Sequence, residues 1–409
     1  MVNPAVVQAA AARLDAPPRP LSPMAQLGRK LFFDPGLSAS GRMACAFCHN
    51  PDHAYAPGNA LPAQFGGPGM NLQGSRATPS LTYLERTPRF IIRPPVRFDP
   101  DEGGTPKAAR PAVPEGGMDW DGRAASLPDQ ASGPLFDPRE MANRDGTVVL
   151  ARLKATPYAN EFTAVFGAGA LDSQEAALSS VYQALARFQI EDRSFHTYDS
   201  KFDYYLAGRA QLSARELRGL KLFNDPQKGN CAACHPDRPT KNRLAPVFTD
   251  YEFEALAAPR NRALAADGDP AYFDEGLCGP ARKDLIERPE YCGLFKTPTL
   301  RNVAKRQVFF HNGVFRSLQD VVRFYVERET RPEKWYSLHG DGTVMMYDDL
   351  PPGHRAGIDG SDAPFNRRRG EAPALDEQEI QDLVAFLETL TDGYSRNQTI
   401  TAAAGNPGK

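Results

Sequence analysis

Two copies of one five-residue pattern constrain this chain more than anything else in it: Cys45-Ala46-Phe47-Cys48-His49 and Cys231-Ala232-Ala233-Cys234-His235. The spacing is that of c-type heme attachment, in which two thiols add across the heme vinyl groups and the adjacent histidine ligates the iron. Cys45, Cys48, Cys231 and Cys234 are therefore expected to carry two covalently bound heme c groups, with His49 and His235 as axial ligands. A zinc or redox Cys-x-x-Cys followed by a chance histidine accounts for one such pattern better than for two. Six cysteines are present, so Cys278 and Cys292 remain, and they are expected to pair in a disulfide closing a short loop. Disulfides and covalent heme both belong to oxidising compartments. The expected location is the periplasm, although residues 1–17 lack the basic start and apolar core of a secretory signal.

The surroundings of the two motifs also repeat. Leu31-Phe32-Phe33-Asp34-Pro35 precedes the first and Leu222-Phe223-Asn224-Asp225-Pro226 the second. Each phrase ends a predicted helix, opened by Ser22-Pro23 in one case and by a Ser213/Glu216 capping box in the other. Each half closes with an amphipathic helix. Asp172-x-x-Glu175 opens one, with Leu178, Val181, Tyr182, Leu185 and Phe188 on a face; Asp376-x-x-Glu379 opens the other, with Ile380, Leu383, Val384, Leu387 and Leu390, and Gly393 as its C-terminal cap. The reading is a mainly α fold of two cytochrome c-like domains with long irregular loops and little strand. The expected domains are 1–208 with the peroxidatic heme and 209–394 with the electron-transfer heme, followed by a disordered tail at 395–409. Arg93–Gly117, Arg260–Cys292 and Arg328–Gly370 read as loop insertions. A formal net charge of −2 and the lack of a long apolar run give no reason to expect nucleic acid or a membrane span.

One stretch between the motifs is more specific. Trp120-Asp121-Gly122-Arg123-Ala124 is followed by Gln130, then Gly133-Pro134, then Asp137-Pro138-Arg139-Glu140-Met141. This resembles the bacterial diheme cytochrome c peroxidases. The resemblance implies that Gln130 and Glu140 line the peroxide pocket of the first heme and that Trp120 lies between the two hemes. The physical roles agree. Splitting an O–O bond needs a proton moved from one oxygen to the other, which a buried Glu140 can shuttle; Gln130 can orient peroxide, and Trp120 can relay electrons.

The likeness continues through Phe295-Lys296-Thr297-Pro298-Thr299-Leu300-Arg301-Asn302-Val303 to Phe310-His311-Asn312-Gly313. His311 is implied as heme support, bonded to a propionate. Where ordinary diheme peroxidases carry an axial Met on the second heme, this chain has Tyr325, as in the MauG branch of the family. Phenolate favours higher iron oxidation states, where thioether favours Fe(II), so Tyr325 implies oxidising equivalents shared between two hemes. Met345 and Met346 are the alternative source of a thioether. Phe65 stands where many relatives have a histidine that closes the first heme, which implies an open, ready site. The family's inter-heme calcium takes an Asn side chain that is Ala77 here, with backbone carbonyls at Arg306 and Val308, so that expectation is weakened. The function implied is reduction of hydrogen peroxide with electrons from a small periplasmic donor protein. The alternatives are a MauG-like oxidase acting on a partner protein, and a non-enzymatic diheme electron carrier or redox sensor. The resemblance also allows a homodimer.

Overall fold

Most of the longer helices begin on a side-chain cap. The computed structural model describes residues 4–93 and 112–394; most of the first expected insertion, and the tail from residue 395, lie outside the described residues. The principal helices are α1 (Pro4–Leu14), α2 (Pro23–Phe33), α3 (Gln174–Glu191), α4 (Lys201–Leu206), α5 (Ala214–Asn224), α6 (Leu318–Glu327) and α7 (Glu377–Glu388). Ser22 accepts from the Ala25 amide at the start of α2, and both the Ser213/Glu216 and the Asp376/Glu379 capping boxes are complete. Such caps satisfy amides that would otherwise lack partners, for about 1 kcal/mol each.

Two expected signals fall elsewhere. The cap of α3 is Ser173, whose hydroxyl accepts from the Ala176 amide, while Asp172 ends the preceding 3-10 turn. Helix α7 stops at a Thr389 cap; Gly393, at φ +86°, instead turns the chain so that its amide donates to the Asp199 carboxylate at 2.8 Å. Strand is confined, among the described residues, to three two-stranded antiparallel ribbons: 65–66 with 72–73, 91–93 with 113–115, and 253–254 with 295–296.

Two apolar cores result. In the first, Leu27, Leu31 and Phe32 of α2 meet Val181, Leu185 and Phe188 of α3. In the second, Phe223 of α5 meets Ile380, Leu383, Phe386 and Leu387 of α7. The repeated Leu-Phe phrase thus buries Phe32 and Phe223 at the same place in each half, and each ring contributes about 1.5–3 kcal/mol of apolar burial. One glycine per half lets the helices meet. A Cβ on Gly28 would lie 1.9 Å from the Ala184 carbonyl oxygen, and one on Gly219 would lie 2.0 Å from that of Asp382.

Core membership changes over between Phe195, which sits in the first core, and Phe202, which sits in the second. Helix α4 therefore belongs with the second half rather than ending the first, a few residues ahead of the boundary expected at 208. Ala10 of α1 joins that second core as well. The halves are fastened by a buried network. Arg301 pairs with Asp203 at 2.7 and 2.9 Å, lies over the rings of Tyr83 and Tyr198, and neighbours Asn302, which with Tyr83 holds Asp392. No helix of the described residues is long and apolar enough to cross a membrane.

Replacing Gly28 or Gly219 with Ala should force α2 from α3, or α5 from α7. The expected loss is about 1–3 kcal/mol, as for an overpacked core. Gly268→Ala, where a Cβ meets nothing within 4 Å, should leave the thermal midpoint in place; equal midpoints for all three variants would count against these contacts.

Candidate functional site

Each Cys-x-x-Cys-His segment forms a single helical turn that sets its thiols and imidazole on a cavity wall. The His49 Nδ1 lies 3.0 Å from the Tyr55 carbonyl, and the His235 Nδ1 lies 2.8 Å from that of Phe248. A carbonyl at Nδ1 fixes the tautomer with Nε2 bare, which is how a metal-bound imidazole is usually oriented. Burial lowers both imidazoles to about 4, so both are neutral and fit to ligate.

The four thiols are unpaired, and burial pushes Cys45, Cys48 and Cys231 up to about 12. Backbone amides at Cys45 and Cys231 offset only part of that burial. Among the described residues, the only three side chains that converge at chelating distance are Glu275, Cys292 and His354. Cys292 is spent there in a disulfide with Cys278. The motif cysteines and histidines instead spread around cavities, an arrangement that fits a flat macrocycle joined at two thiols and ligated at one nitrogen.

A cavity of about 580 Å³ runs between the halves. His235, Cys231, Cys234 and Tyr325 lie on its wall, together with Trp120, Gln130 and His311. A smaller adjoining cavity of about 60 Å³ is lined by Cys45, Cys48, His49, Gln130 and Glu140, with Leu31, Phe32, Val181 and Leu185. Gln130 borders both. Sequence-separated residues are thus brought together as the motifs implied, while neither Met345 nor Met346 lines either cavity. Phe65 is 38% exposed on its short strand, away from both.

Glu140 is held by backbone. Its carbonyl accepts from the Gly67 amide at 2.9 Å, and a Cβ on Gly66 would sit 2.3 Å from the Arg139 carbonyl oxygen. Burial raises its carboxyl to about 7, aided by the negative charges of Asp137 and Asp119. A group at that value takes and returns a proton at little cost near neutral pH.

Trp120 is 9% exposed, and its indole N–H donates to the Ala77 carbonyl at 2.7 Å. The neighbouring Asp121 accepts from Arg76 at 2.7 Å, and Arg76 also grips Asp274 with two bonds of 2.6 Å. The guanidinium lies over the Phe295 ring, and that ring stacks on His311 with centroids 3.6 Å apart. His311 is neutral, lowered by burial to about 4, with its Nε2 3.9 Å from Asp349. Tyr325 lies among Phe310 and Phe365, and burial drives its phenol far up, with Cys234, Cys231 and Glu254 adding to the effect. Only a cation beside its oxygen would reverse that.

Three functional-grade side chains escaped the sequence reading. Asp119 is buried at φ +65° with its carboxyl raised by burial. Lys296, lowered to about 8 by burial, donates to the Gly117 carbonyl at 2.6 Å. Arg306 lines the large cavity. Asp119 adjoins Trp120, Lys296 stands inside the motif stretch 295–303, and Arg306 enters the sequence reading only through its backbone carbonyl.

Two Cys-x-x-Cys-His turns on adjoining cavities, with a carboxyl and an amide on the wall of one of them, fit a diheme oxidoreductase. A family model for di-haem cytochrome c peroxidase matches residues 22–211. The methylamine utilization protein MauG of Paracoccus denitrificans is 34% identical over 379 residues, covering 90% of this chain and 88% of that protein. Cytochrome c551 peroxidase of Nitrosomonas europaea is 28% identical over 347 residues, covering 80% and 84%. The crystal structure of the diheme peroxidase BthA from Burkholderia thailandensis superposes with a TM-score of 0.81 at 36% identity, covering 93% of this chain and 89% of that one. The chain belongs to the di-haem cytochrome c peroxidase and MauG family.

Arg76→Met should strand two buried carboxylates and cost about 3–5 kcal/mol, the usual penalty for breaking a buried ion pair from one side. Chemical denaturation of the heme-loaded protein measures it, and a loss below about 1 kcal/mol, the level of a surface pair, would contradict this placement.

Proposed function

We propose that this protein is a diheme peroxidase that reduces hydrogen peroxide to water with electrons from a small periplasmic donor protein. The two hemes, when bound, supply the iron redox chemistry and the activation of the O–O bond. The observation that carries the reading is Glu140, a buried carboxyl poised near neutrality in the same cavity as Gln130, His49, Cys45 and Cys48.

The residues divide the work. As carboxylate, Glu140 accepts a proton from peroxide; as acid, it returns that proton to the departing oxygen. The Gln130 amide orients peroxide by hydrogen bonding. Leu31, Phe32, Val181 and Leu185 keep the cavity apolar around them. His49 and His235 would ligate the heme irons, and Cys45, Cys48, Cys231 and Cys234 would hold the macrocycles by thioether bonds. Trp120, fixed by its bond to Ala77 and bordering the cavity of the second site, relays electrons between halves. His311 supports a heme from the cavity wall. Two cytochrome c-like domains account for the two cores and two attachment turns.

Tyr325 favours a second reading, in which the oxidising equivalents held by two hemes are passed to a partner protein. The 34% identity to MauG supports it equally. A carrier or sensor without catalysis has no use for Glu140 and Gln130. Covalent heme and the Cys278–Cys292 disulfide support a periplasmic location. For calcium, Ala77 offers no side-chain oxygen and its carbonyl is already taken by Trp120, so we expect none to be required. A homodimer is compatible with this reading.

Rapid mixing of the fully ferric protein with peroxide tests the proposal. Reaction should proceed without prior reduction of the second heme. Because the initial proton acceptor is ionised Glu140, the rate should rise with pH through about 7 and level off above it. Glu140→Gln should keep both hemes, lose that pH dependence and slow the reaction by roughly 100-fold or more. Unchanged kinetics would remove Glu140 from the mechanism.

Tyr325→Met should place a thioether at the second site and raise the reduction potential of that heme, since the axial ligand is a main lever on potential. The variant should then need one-electron reduction before it reacts. Equal potentials in redox titrations of the two proteins would reduce Tyr325 to a packing residue.

A further inference from the structure

Arg306 differs from the other deeply placed arginines. Arg76 pairs with Asp121 and Asp274, Arg301 with Asp203, Arg282 with Asp284, Arg260 with Asp349, and Arg328 with Glu329. Arg306 makes no ion pair among the described residues; its one side-chain hydrogen bond there runs from Nη2 to the Thr78 carbonyl at 3.2 Å. Its remaining surface lies on the wall of the large cavity. Desolvation alone lowers its guanidinium to about 10, with no carboxylate offsetting it. An unpaired cation in such a place costs several kcal/mol, and a fold that keeps one expects an anion to arrive.

The location narrows the anion. Arg306 shares the wall of the large cavity with Pro79, Ser80 and Leu81 of the loop after the first Cys-x-x-Cys-His motif, and Leu81 also lines the smaller cavity with Cys45, Cys48 and His49. Thr78, its hydrogen-bond partner, immediately precedes Pro79, whose backbone also faces His49. A heme attached at Cys45 and Cys48 brings two carboxylates into this part of the fold. Guanidinium matches carboxylate bidentately, with two parallel N–H donors.

We propose that Arg306 pairs with a propionate carboxylate of the heme held by Cys45, Cys48 and His49, and is the fixed positive charge at the seam between the two heme sites. This rests on the heme reading above and adds a residue whose side chain no motif singled out. A fixed cation beside a propionate favours the reduced iron, so the potential of the first heme depends on it.

The test uses holoprotein grown on 13C-labelled 5-aminolevulinic acid, so that the propionate carboxyls are labelled, in buffer free of phosphate. Heme content by pyridine hemochrome reports separately on the underlying reading, which requires two hemes per chain. Infrared redox difference spectra and EPR-monitored titrations are then compared for wild type, Arg306→Gln and Arg306→Lys. The expected result is a shifted labelled carboxylate band and a lower first-heme midpoint in Arg306→Gln, with Arg306→Lys close to wild type and the second heme moved less. Should Arg306→Gln fail to load heme, Arg306→Lys with two hemes and a wild-type midpoint supports the pairing, and Arg306→Lys failing alike overturns it. Labelled bands and midpoint unchanged in a fully loaded Arg306→Gln overturn it. So does a wild-type midpoint that follows added phosphate while the labelled bands stay fixed, which would make the partner a free anion.

Discussion

The site depends on the grip of Arg76. One guanidinium holds Asp274 with two bonds and Asp121 with a third, and covers the Phe295 ring that stacks on His311. Four segments far apart in the chain are thereby fixed by one planar group: the loop after the first attachment motif, the Trp120-Asp121 turn, the insertion between Arg260 and Cys292, and the strand leading to His311. A lysine has neither the fork nor the flat face for this. Charges removed from water at such a junction bring little net stability, but they leave few alternative arrangements, because every misplacement strands a buried ion. Trp120 inherits its position from that economy. Its ring is set by one bond to Ala77 and its backbone by the Lys296 amide.

The same logic separates the two electrostatic regimes of the cavity. Around Arg76 and Arg301, opposite charges are matched and the carboxylates of Asp274 and Asp203 are held down. Around Glu140, the pull of Arg123 and Arg139 is outweighed by burial and the carboxyl is pushed toward neutrality. The carboxylates that an arginine grips at both oxygens stay ionised, while burial leaves Glu140 able to exchange a proton near neutral pH. The difference comes from which carboxylates the backbone places within hydrogen-bonding reach of an arginine.

Much of this was legible in the sequence because it depends on short patterns with a mechanical meaning. The attachment motifs, the Leu-Phe phrases and the caps at Ser22, Ser213 and Asp376 each specify local geometry without help from distant residues. The helix expected to open at Asp172 begins on Ser173 because both residues are competent caps, and only the preceding 3-10 turn, which uses Asp172, decides between them. Gly393 lies too far past α7 to cap it and serves Asp199 instead. Helix α4 joins the second core through Phe202 and Leu206, and no sequence pattern reports which of two similar cores an apolar face will meet. Asp119 and Arg306 stand in irregular segments and Lys296 on a two-residue strand, too short for periodicity to distinguish a buried charge from a solvated one.

The glycines at 28 and 219 carry a consequence for the order of assembly. Each lies where two helices from opposite ends of a half touch backbone to backbone, with the Cys-x-x-Cys-His segment between them along the chain. Contacts that tight leave no loose intermediate in which the helices are paired yet the cavity still gapes. A chain in which either helix pair is held apart leaves exposed the apolar faces that closure buries, and is the form a protease meets first.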